Sequence, residues 1–288
     1  MEWLRFIGNM RRAVTKGGLF PGRASSAGAP GGTTHQRLRA PLKLRMSEEH
    51  RWFQFTEHDL SVAGLPEPLS ILHLTDVHIR ALTDDLKEVC RQLREVRPDL
   101  VLITGDIVTR GWEPEAVTAF LSALPPARLG RFAIMGNWEY WAKATGDAWR
   151  QRLADHGVTL LCEEWTDTGP LVVAGTDDQW AGSPDPARLL ASLPAGKPVI
   201  MMTHSPNLFP QLVDPRVRLV LAGHTHGGQV RLPGLGAIWS PKGTGPFVGG
   251  WYQEDGTHLF VSRGLGWSVA PLRLYCPPEF AWLRLSPG

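Results

Sequence analysis

Asp76 and His78, Asp106, Asn137, His204, and His224 with His226 each stand just past a short apolar run of the chain. One such Asp is ordinarily a turn former or helix cap, and one such His an internally hydrogen-bonded residue. Seven of them, all Asp, Asn or His and all at strand ends, form a constellation with chemistry in common. They offer oxygen and imidazole donors without thiolate, a set suited to Mn, Fe, Zn or Mg rather than to a cysteine-rich structural zinc site. Two divalent ions about 3.5–4 Å apart need an anion between them, and a carboxylate such as Asp106 can supply it. Such a centre acidifies a bridging water and stabilises attacking and leaving oxygens together, which is the chemistry of phosphate-ester hydrolysis by a metal-bridging hydroxide.

The elements that must carry these residues alternate along the chain. Ile71–Leu74 reads as a buried strand ending in Thr75-Asp76. Residues 84–96 place Leu86, Val89, Cys90, Leu93 and Val96 on one helical stripe, with Asp84-Asp85 at the end where the helix dipole favours anions. Leu100–Ile103 is a second strand, a helix opened by Pro114 covers 114–123, and 131–135 is a third strand ending in Gly136-Asn137. Further strands end in Gly175-Thr176-Asp177, in Thr203-His204 and in the run Gly223–His226. After residue 228 short strands and Gly/Pro turns take over. The pattern predicts an α/β domain with one main sheet, or two packed sheets, between helices. In such folds ligands sit outside the carboxyl ends of the strands, where the seven residues fall.

The chain is 288 residues long, with 43% hydrophobic and 20% charged residues, a composition that supports an ordinary globular core. Its net charge of +2 is the sum of two unlike parts. Residues 1–51 carry ten Lys and Arg against three Glu, and the rest carries 20 basic against 25 acidic groups. Residues 1–50, rich in Gly, Pro, Ala and Ser around 17–34, are expected to be a disordered basic leader, and 51–288 a single domain. Arg11-Arg12 is a twin arginine, but no uninterrupted apolar stretch follows it as an export signal requires. An initiation site at Met46 would remove the leader altogether. A basic leader fits weak contact with an anionic membrane, so the expected location is cytoplasmic or peripheral at the inner membrane face. The acidic body carries no basic stripe, which argues against a long nucleic acid as partner. Three scattered cysteines, Cys90, Cys162 and Cys276, form no disulfide framework.

The ordered blocks Asp76-Val77-His78, Gly105-Asp106, Gly136-Asn137-Trp138-Glu139, Thr203-His204 and Gly223-His224-Thr225-His226 resemble those of the calcineurin-like metallophosphoesterases over roughly residues 68–286. The extension Gly223–Gln229, the run Trp239–Gly245, Val261–Gly266 and Arg273–Glu279 are similar to the YkuE-like and YaeI-like bacterial branch. The resemblance implies a four-layer αββα sandwich. It also implies one metal on Asp76, His78, Asp106 and His226 and a second on Asp106, Asn137, His204 and His224, with Asp106 bridging. The expected activity is hydrolysis of a phosphodiester or diphosphate in a small substrate. A lipid- or nucleotide-linked substrate such as a UDP-diacylglucosamine-type precursor fits that branch. A general phosphomonoesterase and a non-catalytic scaffold of the same fold are the alternatives.

One position departs from the superfamily pattern. Most members carry His after the motif Asn, whereas this chain carries Trp138, whose indole donates a hydrogen bond but is no acid near neutral pH. Leaving groups that need little protonation are then favoured, unless Glu139 or Tyr140 assists. Arg263, in a Ser-Arg-Gly turn, is the candidate clamp for a second phosphate. The twelve tryptophans divide into core positions such as Trp149 and Trp282, and a group near glycine-rich turns that includes Trp138, Trp141, Trp180, Trp239, Trp251 and Trp267. The second group could line a pocket or meet a lipid surface.

Overall fold

The computed structural model describes residues 53–268 and 271–288, together with a short strand at Arg37–Leu38. The rest of the basic leader, with its twin arginine and Met46, lies outside the described residues. Among the described residues no helix is long and apolar enough to cross a membrane.

Two sheets carry the fold. The strands of the first are β1 (Arg37–Leu38), β2 (Gln54–Val62), β3 (Leu69–Leu74), β4 (Leu100–Ile103), β5 (Arg131–Ala133), β6 (Thr159–Leu160) and β15 (Glu279–Pro287), in the order β1-β2-β15-β3-β4-β5-β6. Strands β3 to β6 run parallel, and β15 enters antiparallel to β3 with Leu283 opposite Ile71. The second sheet has the order β13-β14-β10-β9-β8-β7, built from β7 (Glu164–Asp167), β8 (Val172–Gly175), β9 (Val199–Met202), β10 (Val217–Ala222), β13 (Gly250–Glu254) and β14 (Thr257–Val261). Its four central strands are parallel, and its two edges are antiparallel. A small hairpin, β11 (Arg231–Leu232) with β12 (Gly236–Ala237), stands apart from both.

The apolar runs explain the layering. Parallel strands buried on both faces read as continuous hydrophobic stretches, and alternate residues of each stretch go to opposite sides. Ile71, Leu100, Leu102, Ile200, Met202, Leu219 and Leu221 meet in the space between the sheets. Leu72, Leu74, Val101 and Ile103 face outward onto α1 (Asp84–Leu93), α2 (Pro114–Ala123) and α4 (Gly146–Asp155), through Leu86, Leu93, Phe120 and Leu153. Val172, Val199, Met201 and Val220 face the other way onto Leu189 of α5 (Pro186–Ser192) and onto Leu208 and Phe209 of a 3₁₀ turn. Three apolar layers between four structural ones make an αββα sandwich, so of the two architectures left open by the strand pattern the packed pair of sheets is the one formed.

Local signals hold where the sequence carries them. Thr83 caps α1 by accepting the Leu86 N–H at 3.2 Å, and Pro114 opens α2. Helix α1 ends at Leu93 rather than at residue 96, before Pro98 is reached, although Val96 still packs on the core. The run Gly136–Trp141 is not a simple turn but leads into a short helix, α3 (Asn137–Trp141). Leu102 is fully buried between the sheets. Leu102→Ala should lower the unfolding free energy by about 2–5 kcal/mol, because neither sheet can move in to fill the gap. Urea titration followed by circular dichroism measures it.

Candidate metal centre

The carboxyl ends of β3, β4, β5, β9 and β10 open on one rim, and the strands stay paired beyond their formal ends. The Asp76 N–H bonds Gly105 O at 3.1 Å, the His78 N–H bonds Asp106 O at 3.0 Å, and the Gly223 N–H bonds His204 O at 3.2 Å. Asp76, His78 and His226 thereby bring ligand atoms within 4.8 Å of one another, and so do Asp106, His204 and His224. Asp106 joins the two groups, its Oδ2 lying 3.2 Å from His204 Nε2 and 3.7 Å from His78 Nε2.

The backbone is bent to achieve this. Asp76, His78, Asp106, His224 and His226 all have φ between 50° and 69°. This left-handed region is uncommon for residues with a Cβ, and each instance costs on the order of 1–3 kcal/mol. Small neighbours make the bends sterically feasible. A Cβ on Gly136 would lie 2.3 Å from Asp106 Oδ1, and one on Gly223 would lie 2.0 Å from Thr75 Oγ1.

Hydrogen bonds then set which atom of each side chain faces the centre. His204 Nδ1 lies 2.7 Å from Thr104 O and His224 Nε2 lies 2.5 Å from Lys242 O. A carbonyl only accepts, so each of these nitrogens carries a proton, and His224 Nδ1 turns a lone pair toward His204 Nε2 at 3.1 Å. Burial opposes charge on His204, but Asp106, Asp76 and Asp178 outweigh it and raise this imidazole well above its ordinary value, so its Nε2 also holds a proton, against Asp106 Oδ2. His78 Nε2 and His226 Nε2 make a second close pair at 3.1 Å. Asp76 accepts the Thr75 hydroxyl and the His224 N–H, and Asp106 Oδ1 accepts the Trp138 N–H at 2.8 Å. Burial pulls His78 and His224 down to about 4 and His226 well below its ordinary value, so these imidazoles are neutral donors. Burial also pushes Asp76 up, to about 7. Burial opposes charge on Asp106 as well, but His204, His78 and the Trp138 N–H outweigh it and hold this carboxyl below its usual range.

The donor set fits divalent metal ions. Ring nitrogens of four histidines converge on one another and on two carboxylates, an arrangement that a cation satisfies. Asn137, whose neighbour Trp138 bonds Asp106, has a buried Oδ1 without a hydrogen-bond partner, and His78 Nδ1 is likewise unpaired. Buried polar atoms rarely go unpaired, and a cation at the centre would give the first of these a partner.

Three sequence expectations read differently in the structure. Glu139 is fully buried and accepts the backbone N–H groups of Asp106, Ile107, Val108 and Gly136 at 2.9, 2.6, 3.3 and 2.8 Å, which commits both its oxygens to the chain. Burial and the Asp106 charge push its pKa up, to about 8, yet four donors on its two oxygens are satisfied by the ionised form. Tyr140 donates its hydroxyl to Asp177 Oδ1 at 2.5 Å, which commits it elsewhere. Arg263 pairs with Glu279 at 3.1 Å and bonds Gln54, so its guanidinium is held by protein groups rather than extended as a phosphate clamp. Trp138 sets its ring edge-to-face against His78 at 5.5 Å, and Trp141 packs on Trp138 in turn at 5.4 Å.

Two residues at the rim carried no role in the sequence reading. Arg273 is buried, bonds the backbone carbonyls of Arg263, Gly264 and Gly266, and approaches His226 Nδ1 at 3.3 Å. Burial lowers its pKa to about 10. Asp178 follows β8, caps the next turn through Oδ1, and has a buried Oδ2 without a partner. The acidic end of that strand was visible as Gly175-Thr176-Asp177, but the buried carboxylate is the one after it.

The sequence profile of the calcineurin-like phosphoesterase family matches residues 69–228. The chain is similar to the metallophosphoesterase YkuE of Bacillus subtilis, 29% identical over 96% of this chain and 97% of that protein. It is 30% identical to the phosphodiesterase YaeI of Escherichia coli, over 82% of this chain and 90% of that protein. It is also 26% identical to the UDP-2,3-diacylglucosamine pyrophosphatase LpxG of Chlamydia trachomatis, over 75% of this chain and 83% of that protein.

The role assigned to Glu139 is open to direct test. Glu139→Gln turns an acceptor-only carboxylate into an amide whose NH₂ must face backbone N–H groups. Unfolding free energy should fall by about 2–5 kcal/mol, since each donor left unsatisfied costs on the order of 1–3 kcal/mol. Unchanged stability in urea, with a loss confined to turnover of poor leaving groups, would return Glu139 to the role of acid.

Proposed function

Because this chain belongs to the calcineurin-like phosphoesterase family, in its YkuE- and YaeI-like branch, and is a metal-dependent phosphoester hydrolase, we propose that it opens a phosphodiester or diphosphate bond at the two clusters joined by Asp106. That junction is the observation on which the reading rests. One ion would be held by Asp76, His78, Asp106 and His226, and a second by Asp106, Asn137, His204 and His224. Two divalent ions, Mn²⁺ first among them and Fe, Zn or Mg as alternatives, supply positive charge to a phosphoryl group and acidify water.

The chain's own residues set the conditions. The carboxylates of Asp76 and Asp106 offset the charge of the ions. Thr104 and Lys242 hold the outer nitrogens of His204 and His224 and so turn Nε2 and Nδ1 toward the centre, where a bound ion would take the place of the proton that His204 Nε2 holds against Asp106. Trp138 places an indole where the superfamily's His stands. Neither neighbour replaces that acid, because Glu139 is braced on backbone and Tyr140 is bonded to Asp177. Leaving groups stable as anions follow from that, and phosphodiesters with such groups and diphosphates supply them. YaeI, a phosphodiesterase, and LpxG, a UDP-2,3-diacylglucosamine pyrophosphatase, agree with this class, which makes a small, lipid-linked phosphate the substrate of choice.

The test uses protein stripped by chelator, reloaded with Mn²⁺, and assayed on bis-p-nitrophenyl phosphate and p-nitrophenyl phosphate side by side. Diester turnover should exceed monoester turnover and vanish on metal removal. Asp106→Asn should reduce it by more than the roughly 10–100-fold typical of residues that only orient a ligand. Monoester turnover equal to or above that of the diester would favour a general phosphomonoesterase. Trp138→His, assayed on an alkyl monoester such as glycerol phosphate, should gain up to about 10²-fold if the missing acid limits the rate. No gain would remove the leaving-group argument.

A further inference from the structure

Beside the candidate centre lies a cavity of about 230 Å³ with a different character. Phe53, Val77, Ile79, Leu86, Val89 and Leu265 line it, with the Asp85 carboxylate also in the wall, so its interior is mostly apolar. His78 belongs both to this lining and to the first ligand cluster, so the cavity borders the segment that carries that ligand. Arg80 and Thr83, also in the lining, are solvent-exposed, as is Trp267 at 38%. Leu82, between Ala81 and Thr83 of the lining, is 41% exposed. Apolar side chains displayed to water beside an apolar cavity, next to a cluster built for cations, are complementary to one kind of molecule: an amphiphile with a phosphoryl group at one end and a hydrocarbon chain at the other.

We propose that this cavity is the binding site for the alkyl or acyl chain of a phosphorylated amphiphile whose phosphoryl group lies at the cluster that includes His78. The proposal rests on the phosphohydrolase reading above and adds to it a place for the chain. Taking a methylene as about the size of a water's ~30 Å³ share of liquid, the cavity holds on the order of six to eight carbons. A longer chain continues past Leu82 and Trp267 toward solvent or a lipid surface.

Two measurements test it, one independent of turnover. The first is calorimetric binding of methyl, butyl, octyl and dodecyl phosphate to the Mn²⁺-loaded full-length protein. Affinity should rise about three- to fourfold per methylene, then level off near the octyl compound. The second is kcat/KM on p-nitrophenyl alkyl phosphates of the same chains. In each, water adds to phosphorus, the P–O bond to p-nitrophenolate breaks, and the alkyl phosphate and a proton are released, so the leaving group is constant and only the chain varies. The octyl-to-methyl ratio should exceed about 10².

Ala81→Trp, which introduces an indole into the lining, should bring that ratio close to 1. Ala81→Leu, a smaller intrusion, should shift the plateau to shorter chains, and it keeps the test alive if the larger side chain prevents folding. A methyl ester that turns over with no preference for longer chains overturns the pocket and leaves the phosphohydrolase reading intact. Chain-dependent binding that Ala81→Leu or Ala81→Trp alters, with no turnover of any ester, supports the pocket and overturns the phosphohydrolase reading. Neither binding preference nor turnover overturns both, and a chain preference that both variants retain overturns the pocket.

Discussion

A single carboxylate holds the rim of this protein in shape. Glu139 accepts backbone N–H groups from Asp106, Ile107 and Val108 on one side and from Gly136 on the other. Two chain reversals, one leaving β4 and one leaving β5, are thereby closed on the same pair of oxygens. Each reversal would otherwise bury donors with nothing to receive them, at a cost of several kcal/mol in total. The brace also fixes Asp106 in its left-handed conformation, with its carboxylate turned toward both ligand clusters. Five ligand candidates share that conformation, so the centre is a strained region kept in place by the hydrogen bonds beneath it.

The second constraint is that the site straddles two sheets. His204, from the second sheet, bonds Thr104 O of the first. The His224 N–H bonds Asp76, again across the gap. The segment after β14 closes the seam, with Leu265 and Gly266 donating to Thr75 O and Asp76 O. The hydrocarbon between the sheets sets their spacing, and these polar ties at one end convert that spacing into the distances within the centre. A change in core packing therefore reaches the ligands without touching them.

Electrostatically, burial works in favour of a cation site. It keeps His78, His224 and His226 neutral, as a metal ligand must be, while Asp106 retains its charge among them. Arg273 adds a buried positive charge behind His226, satisfied by backbone carbonyls, which further disfavours protonating that imidazole. On the outer side Trp138 and Trp141 form an aromatic wall against His78.

The seven ligand candidates, and the α/β strands that deliver them, were legible from the chain alone. A parallel strand buried on both faces must be a continuous apolar run, and an Asp, Asn or His at the end of each such run has little structural reason to recur. A run such as Ile71–Leu74 could not reveal which of its faces met a helix and which a second sheet, because period-two alternation is silent when both sides are apolar. The packing of Leu102 with Ile200 and Leu219 decided it. What the sequence by itself determined is therefore the list of donors and the order of the strands that carry them, since both follow from residue type and local periodicity. What only the tertiary structure decided is the partner of each remaining polar group. Glu139 could be an acid or a brace, and Arg263 a clamp or half of an ion pair, until Asp106, Gly136 and Glu279 were brought beside them from 33, 3 and 16 residues away. Arg273 opened a block that marked the family branch, but neither its role nor that of Asp178 was written locally, because both roles depend on burial, and burial is a property of what the rest of the chain folds over them.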